Sequence, residues 1–523
     1  KSMTKLKPSE LKKRYENANR AKDQWRAIYE DAYRYALPMR NLYDGYYDGN
    51  VPGQDKMSKV FDSTAIQSTQ KFANRLQSGV FPPQREWCRL MPGDEIPEER
   101  QIEVQRILDD YGKKMSAVMR QSQFDMSMGE FLLELAIGTA VMLIQPGDEV
   151  QPIRYTCIPT FLIAYEEGPF GKVEKVYRRI KRPFGVLDQE FPDIKIPDSM
   201  KSRYGSDETE IVDLIEGTYY DKLTGNYHYQ IIDEMGRDEL VYRNLKSFPW
   251  VIARYMKASG ERYGRGPVLT ALPDIKSLNK VKELILKSSS LSIAGVYTAS
   301  DDGVLNTNTV RIVPGAIIPV ARNGGPQGES LKPLPRPGDT QLSQMVTGEL
   351  VASIKAILMD ESLPPDTMSA RSALEIQERM KQLSQNLGAS YGRLINETMI
   401  PVVKRTLEVM NDVGMIELPL KVNGLQVKIA PTAPLAMAQN MGKVEETLNF
   451  MQLTSQMGPQ GQVFLKQDKL IDYIADQMGI PAELRTTPEE RQELMEQAMQ
   501  VAQQAQEQGL INGQPEQPAE VNQ

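Results

Sequence analysis

Three pairs of adjacent carboxylates, Asp109-Asp110, Asp301-Asp302 and Asp360-Glu361, are the residues whose type and spacing could do chemistry in this chain. Paired acids can hold Mg²⁺ for phosphodiester hydrolysis, because hard divalent cations take oxygen ligands. Adjacent carboxylates are more often solvated helix ends or turns, and that is the reading preferred for all three. The single histidine, His228, sits between two tyrosines in a strand pattern, with no second His or Cys spaced to assist a base. It is expected to be a strand-face residue. No GxxxxGK[ST] loop is present, and neither Gly168-Pro169-Phe170-Gly171-Lys172-Val173 nor Gly442-Lys443-Val444 substitutes for one. The chain is therefore not expected to hydrolyse ATP. Gly264 and Gly266 lack the strand–GxGxxG–helix spacing of a dinucleotide site. The run Arg178-Arg179-Ile180-Lys181-Arg182 could touch phosphate, but a solvated or subunit-pairing face is the expected role. No catalytic residue, metal ligand or cofactor is assigned.

The elements that would have to position any such group come from a long chain of 523 residues, which suggests three or four units. Hydrophobic residues make up 40%, enough to build real cores. A formal net charge of −7 argues against gripping nucleic acid over a broad surface, though not against letting DNA slide past. Cys88 and Cys157 cannot form a disulfide framework, so a reducing compartment is expected. No apolar run reaches the roughly 18–20 residues of a membrane span. Phe131 to Ile144 comes nearest, but it is short and contains Glu134. The Lys-rich start has no apolar stretch after it, so no signal peptide is read and a soluble intracellular protein is expected.

Taken in order, Leu11 to Leu37 reads as one helix ended by Pro38, and Asp62 or Ser63 caps a second running to Gly79. Phe81 to Pro92 reads as strand and turn, Pro97 opens a helix, and Met128 to Ile144 reads as an apolar helix. From Pro152 to Met256 the period shifts towards two: Tyr155–Ile158, Lys175–Arg178, Ile211–Glu216, Tyr227–Ile232 and Phe248–Arg254 read as strands. Leu223-Thr224-Gly225-Asn226 signals a hairpin, and Phe184 to Tyr204 an excursion of helix and loop. Pro267 then opens an amphipathic helix carrying Leu269, Leu272, Ile275, Leu278, Val281, Leu284 and Ile285, with Asp274, Lys276, Asn279 and Lys280 on the other face. Ser288-Ser289-Ser290 weakens it. A Gly/Pro-rich insertion with short strands at Gly295–Ala299 and Val310–Val313 follows. Asp339 caps a second helix to about Met359, Asp360 to Arg371 is polar and irregular, and Ser372 to Val413 is a long helix bent at Gly388, Gly392 and Pro401. Leu418 to Ile429 returns as strand. Helices at Leu435–Met457, Lys469–Met478 and Thr487–Gln508 precede a Pro/Gln/Glu-rich end expected to be disordered.

This order resembles the portal, or head-to-tail connector, proteins of short-tailed bacteriophages. The resemblance runs from about Leu11 to Asn512. It is carried by Tyr263-Gly264-Arg265-Gly266-Pro267, by Asp274-Ile275-Lys276-Ser277-Leu278-Asn279, by Ala373-Leu374-Glu375-Ile376 through Leu387-Gly388, and by Leu394-Ile395-Asn396-Glu397 to Ile400-Pro401. The resemblance implies an α+β, mainly helical portal fold in a ring, normally of twelve copies. Residues 1–263 would be the wing, 264–290 the first stem helix, 291–338 the clip and 339–359 the second stem helix. Residues 360–371 would be the tunnel loop, 372–434 the long wing helix and return strand, 435–511 the crown and 512–523 a disordered tail.

The function implied is a passive channel for double-stranded DNA, without sequence specificity, at one capsid vertex of the virion, assembled in the host cytoplasm. Its implied partners are further copies, the terminase large subunit, tail adaptor or nozzle proteins, and the major capsid and scaffolding proteins, with no membrane. The channel residues implied are Asp366, Thr367, Met368, Ser369 and Arg371. The stem interface implied is Leu272, Ile275, Leu278, Val281 and Ile285. Two other readings stay open at this point: a metal-dependent DNA-processing enzyme, and another virion tail or adaptor protein.

Overall fold

A computed structural model of the chain describes residues 5–507 except 44–52, 54, 84, 206, 296, 301–307, 309–318, 321–327, 334–339, 361–372, 418–426 and 459–464. The stretch read as one helix from Leu11 to Leu37 is two, α1 (Pro8–Asp23) and α2 (Arg26–Ala36). The backbone breaks at Trp25, whose ring packs beside Tyr29 and Tyr263. That break lets α1 lie on a sheet while α2 packs on the first long helix of the second half. Burial of Trp25 against two aromatic rings offsets one lost helical turn.

The period-two stretches form two antiparallel sheets. The smaller has the order β3 (Ile153–Ile158), β2 (Thr139–Pro146), β9 (Trp250–Arg254). Here the apolar helix expected over Met128 to Ile144 is corrected: α5 (Phe124–Ile137) ends at Gly138, which turns the chain with φ 157° into β2. From Thr139 to Ile144 every residue of β2 is buried. A strand covered on both faces reads as an unbroken apolar run, which periodicity alone cannot tell from helix.

The larger sheet runs β4 (Ile163–Glu167), β5 (Val173–Pro183), β6 (Ile211–Tyr220), β7 (Tyr227–Asp233), β8 (Glu239–Leu245). The expected hairpin joins β6 to β7 with Tyr220 opposite Tyr227. Asp221 Oδ1 accepts from Leu223 N at 3.0 Å inside its turn. Strands β4 and β8 escape a period-two reading, because β4 buries Ile163, Ala164 and Tyr165 in succession and β8 buries the sequence neighbours Leu240 and Val241. The excursion forms α6 (Leu187–Glu190) and α7 (Asp198–Tyr204), laying Leu187, Phe191 and Met200 over Val212, Leu214 and Ile231. On the opposite side of the sheet Leu11 of α1 covers Gly217, where a Cβ would stand 2.6 Å from Leu11 Cδ1.

Around the smaller sheet lie α3 (Thr64–Val80), α4 (Glu98–Gln121), α5 and the helices of the second half. Asp62 Oδ2 accepts from Thr64 N at 2.9 Å, a local cap for α3. Strand β1 (Cys88–Pro92) pairs antiparallel with β12 (Val427–Pro431), tying the first hundred residues to the last hundred. The remainder of the expected return strand, 418–426, lies outside the described residues.

The first long helix is α8 (Pro267–Ala294), longer than expected. It runs through the serine triplet, where Ser290 Oγ donates to Lys287 O at 2.8 Å, and stops at Gly295 with φ 69°. Strand β10 (Tyr297–Ala299) pairs antiparallel with β11 (Leu331–Pro333), which leads back into α9 (Thr340–Ile357). The expected strand Val310–Val313 and the cap Asp339 lie outside the described residues.

The expected long helix divides into α10 (Ala373–Leu387), α11 (Ala389–Leu394) and α12 (Ile400–Asp412). Gly388 breaks it with φ 50° and ψ −125°. Residues 395–399 widen into a π-turn just before Pro401, whose missing N–H interrupts the i→i−4 ladder. Gly392 makes no break. The last helices are α13 (Pro434–Gln456), α14 (Gln467–Gln477) and α15 (Pro488–Glu507). The capping box ahead of α15 closes both ways: Thr487 N donates to Glu490 Oε2 at 2.8 Å and Glu490 N to Thr487 Oγ1 at 3.1 Å. The tail 512–523 lies outside the described residues.

Candidate assembly surface and its anchoring joint

The α8–α9 pair leaves the body of the protein at the corner Tyr263–Pro267. Gly264 and Gly266 are required there by contact. A Cβ on Gly264 would lie 2.1 Å from the Gly138 carbonyl oxygen, and one on Gly266 2.1 Å from that of Ala136. The close approach allows Gly266 N to donate to Ile137 O at 2.9 Å and Tyr255 N to Gly138 O at 2.9 Å. Thr139 Oγ1 accepts from Gly264 N at 2.8 Å, and Tyr29 donates its hydroxyl to Gly264 O at 2.5 Å. Tyr263, 2% exposed, packs among Trp25, Tyr29 and Tyr165, with its ring centroid 4.5 Å from that of Tyr165. Burial in this apolar aromatic cluster pushes the Tyr29 and Tyr263 phenols up, so both stay protonated at ordinary pH.

A second fastening is Arg254, 3% exposed at the end of β9. It pairs with Glu167 of β4 and, at 2.9 Å, with Glu397 of the π-turn, and donates to Gly171 O at 3.0 Å and Arg262 O at 3.3 Å. Glu397 also accepts from the Arg254 backbone N at 2.8 Å and from Arg393 at 2.8 Å. One guanidinium thus joins both sheets, the corner and the bent helix. Arg254→Met is expected to lower stability by about 2–4 kcal/mol, since Glu167 and Glu397 each lose one of two cationic partners in a largely covered site and keep only Lys257 and Arg393. A urea melt checks it, and a loss under about 1 kcal/mol would show the carboxylates reaching water instead.

Along α8 the apolar residues divide into two sets. In the first half Val268, Ala271, Ile275 and Leu278 are buried against α2, α3, α5 and α9 of the same chain. Asp274 accepts from Ser353 Oγ of α9 at 2.6 Å, which places the start of α8 beside the end of α9. Asn279, read as a polar-face residue, is buried instead. Its amide spans Phe61 N at 2.7 Å and Lys59 O at 3.0 Å, satisfying a loop that the apolar period could not reveal. Of the expected interface residues, Ile275 and Leu278 are thus covered within the chain, while Leu272, Val281 and Ile285 are half-buried. The second half is different. Leu284, Leu286, Leu291 and Ile293 of α8 and Leu342 and Met345 of α9 are exposed, Ile293 at 87%. Exposed large side chains grouped on one helical pair mark an interaction surface.

The remaining sequence candidates are placed as follows. Asp366, Thr367, Met368, Ser369, Arg371 and the Asp301-Asp302 pair lie outside the described residues. Asp360, expected to be solvated, is buried: Ser68 donates to it at 2.8 Å and Lys71 pairs with it at 3.1 Å, pinning the end of α9 to α3. Asp109 is held by Arg89, with both contacts at 3.1 Å, and Asp110 pairs with Lys114 at 2.9 Å. Among the described residues no group of three or more His, Cys, Asp or Glu is placed to hold a metal.

His228 is a strand-face residue of β7, stacked on Tyr219 with its Nδ1 2.9 Å from the Tyr242 hydroxyl. The arginines of β5 pair within the chain, Arg178 with Glu216, Arg179 with Asp213 and Glu234, and Arg182 with Glu190. Both cysteines are free, and burial pushes both thiols up. No described helix is long and apolar enough to cross a membrane. Sequence reasoning missed Arg254, Glu397 and Gly138 as joint residues, because each acts through partners more than a hundred positions away.

The chain is similar to known proteins over most of its length. A family described as "Bacteriophage head to tail connecting protein" matches residues 8–485. The portal protein of Escherichia phage T7 is 23% identical over 476 residues, covering 87% of this chain and 83% of that protein. That of Enterobacteria phage T3 is 22% identical over 459 residues, covering 83% and 81%. The probable portal protein of Bordetella phage BPP-1 is 22% identical over 518 residues, covering 94% and 91%.

Proposed function

The chain belongs to the family of bacteriophage head to tail connecting proteins, structural components of the virion and not enzymes, and from this membership we propose a ring-forming portal subunit. Twelve copies close a ring at one capsid vertex, and double-stranded DNA passes through its centre during packaging and ejection. Residues 1–263 and 372–434 form the wing, α8 and α9 the stem, 291–338 the clip and 435–511 the crown. Residues 360–371 line the narrowest part of the channel. The terminase large subunit docks first, and tail adaptor or nozzle proteins replace it, while capsid and scaffolding proteins hold the wing. Assembly takes place in the host cytoplasm.

The observation that carries this reading is the exposed apolar second half of α8 with the start of α9, a surface that a neighbouring copy can bury. Phe450, Ile471, Met495 and Met499 in the last helices are also exposed, which supports contacts between copies there as well. The acidic net charge suits a conduit, because dense cationic contacts to phosphate would hold DNA in place.

Negative-stain microscopy of the purified chain is expected to show rings with a central hole, twelve-fold in class averages. A species that stays monomeric in sedimentation across a wide concentration range would refute the assignment. A deletion within 361–371, sparing Asp360, is expected to leave the rings intact and to lower DNA retention in packaged particles.

A further inference from the structure

Where the β4–β5 turn, the segment 247–254 and the π-turn of the bent helix meet, they enclose a cavity of about 460 Å³. Six cations line it, Lys172, Arg254, Lys257, Arg393, Lys404 and Arg405, against one carboxylate, Glu397. Part of that charge is balanced: Arg254 and Lys257 pair with Glu167, and Arg254 and Arg393 with Glu397. Three cations are left over. Lys172 and Lys404 make no ion pair among the described residues. Among the described residues Arg405, only 4% exposed, meets two neutral acceptors, Ser247 Oγ at 2.6 Å and Ile144 O at 3.2 Å. Glu408 and Asp412 attract it from beyond ion-pair distance, and burial outweighs them, pushing its pKa down to about 10. It remains a cation at neutral pH.

A buried guanidinium without a carboxylate partner is costly, and proteins keep one chiefly where an anion supplies the missing charge. Four aromatic residues, Phe170, Tyr227, Phe248 and Trp250, share the rest of the lining with aliphatic and small polar ones such as Val173, Ile400 and Asn396. Phe248 and Tyr227 pack with centroids 5.0 Å apart and their planes tilted by 36°, and Phe170, 96% exposed, stands on the turn beside Lys172.

We propose that this cavity is a binding site for a compact polyphosphate anion, held by Lys172, Lys404 and Arg405, with the aromatic residues able to stack on a nucleobase. Its volume is that of a small-molecule site and cannot take in a DNA duplex. A free nucleotide and inorganic pyrophosphate share the recognised chemistry, and they differ in whether the aromatic rim is used. The site is independent of the channel and of ring formation, so it stands or falls apart from the portal reading.

The test is isothermal titration of the full chain with dATP, with pyrophosphate and with a short DNA duplex, at low ionic strength. Saturable and mutually competing binding of dATP and pyrophosphate is expected. K172Q/K404Q changes two side chains that make no ion pair among the described residues, and is expected to weaken both ligands at least tenfold. K114Q, on α4, is expected to change neither. If dATP binds more tightly than pyrophosphate and F170A removes the difference, the occupant is a nucleotide. Equal affinities untouched by F170A identify an inorganic anion. Absence of binding, binding of the duplex only, unchanged affinity in K172Q/K404Q, or an equal loss in K114Q would each overturn the proposal.

Discussion

Rings are expected to be lost, with the fold intact, when Leu284 and Leu291 are both replaced by aspartate. The two lie seven residues apart on α8, two helical turns, and are 54% and 58% exposed in the single chain. Charge there therefore disturbs little within one copy. In a ring, each neighbour contact would lose the burial of two leucines, worth about 1.5–3 kcal/mol apiece, and would enclose two unpaired carboxylates. Repeated round a closed assembly, that should leave monomers in sedimentation velocity. Leu278→Asp is the informative contrast. Leu278 is 1% exposed inside the chain, so this variant should lose several kcal/mol of the subunit's own stability before any question of assembly arises. Circular-dichroism melts separate the two. Normal rings from the double variant would remove this face from the assembly. An L278D chain that melts like the parent yet forms no rings would move the seam to the first half of the helix.

Gly266→Ala is expected to lower stability by about 3 kcal/mol or more, a large effect for one methyl group. The new Cβ would meet the Ala136 carbonyl oxygen at 2.1 Å, and that atom belongs to the backbone of α5, buried at the heart of the core. No rotamer change relieves the clash. The corner or the α5 terminus must shift, and with either go the bonds from Gly266 N to Ile137 O and from Gly264 N to Thr139 Oγ1. Gly112→Ala is the matched control. Nothing lies within 4 Å of its Cβ position in α4, so relief of helical glycine entropy should raise stability by about 0.5–1 kcal/mol. Urea midpoints measured side by side decide it. Equal effects at the two glycines would mean that the corner is not tightly seated.

Much of this protein could be read from residue order alone. Pro267 ahead of an apolar period of three and four, the alternating runs between residues 153 and 254, the Leu223–Asn226 turn and the Thr487–Glu490 box each depend on neighbours within a few positions. Local signals of that kind survive in a linear chain. So did the family, because its order of sheet, helix, insertion and helix is itself linear.

What tertiary structure decided is where a buried surface faces. Periodicity states that one side of α8 needs a partner. It cannot say that Val268 to Leu278 find theirs in α2, α3, α5 and α9, while Leu284, Leu286, Leu291 and Ile293 stay exposed among the described residues. For the same reason β2 looked like helix, Asn279 looked solvated, and Arg254 with Glu397 gave no sign of pairing across 143 positions. Hydrophobic burial and ion pairing act through space, without regard to separation along the chain, and the joint at Gly138, Gly264 and Gly266 exists only once α5 and the corner have come within contact distance.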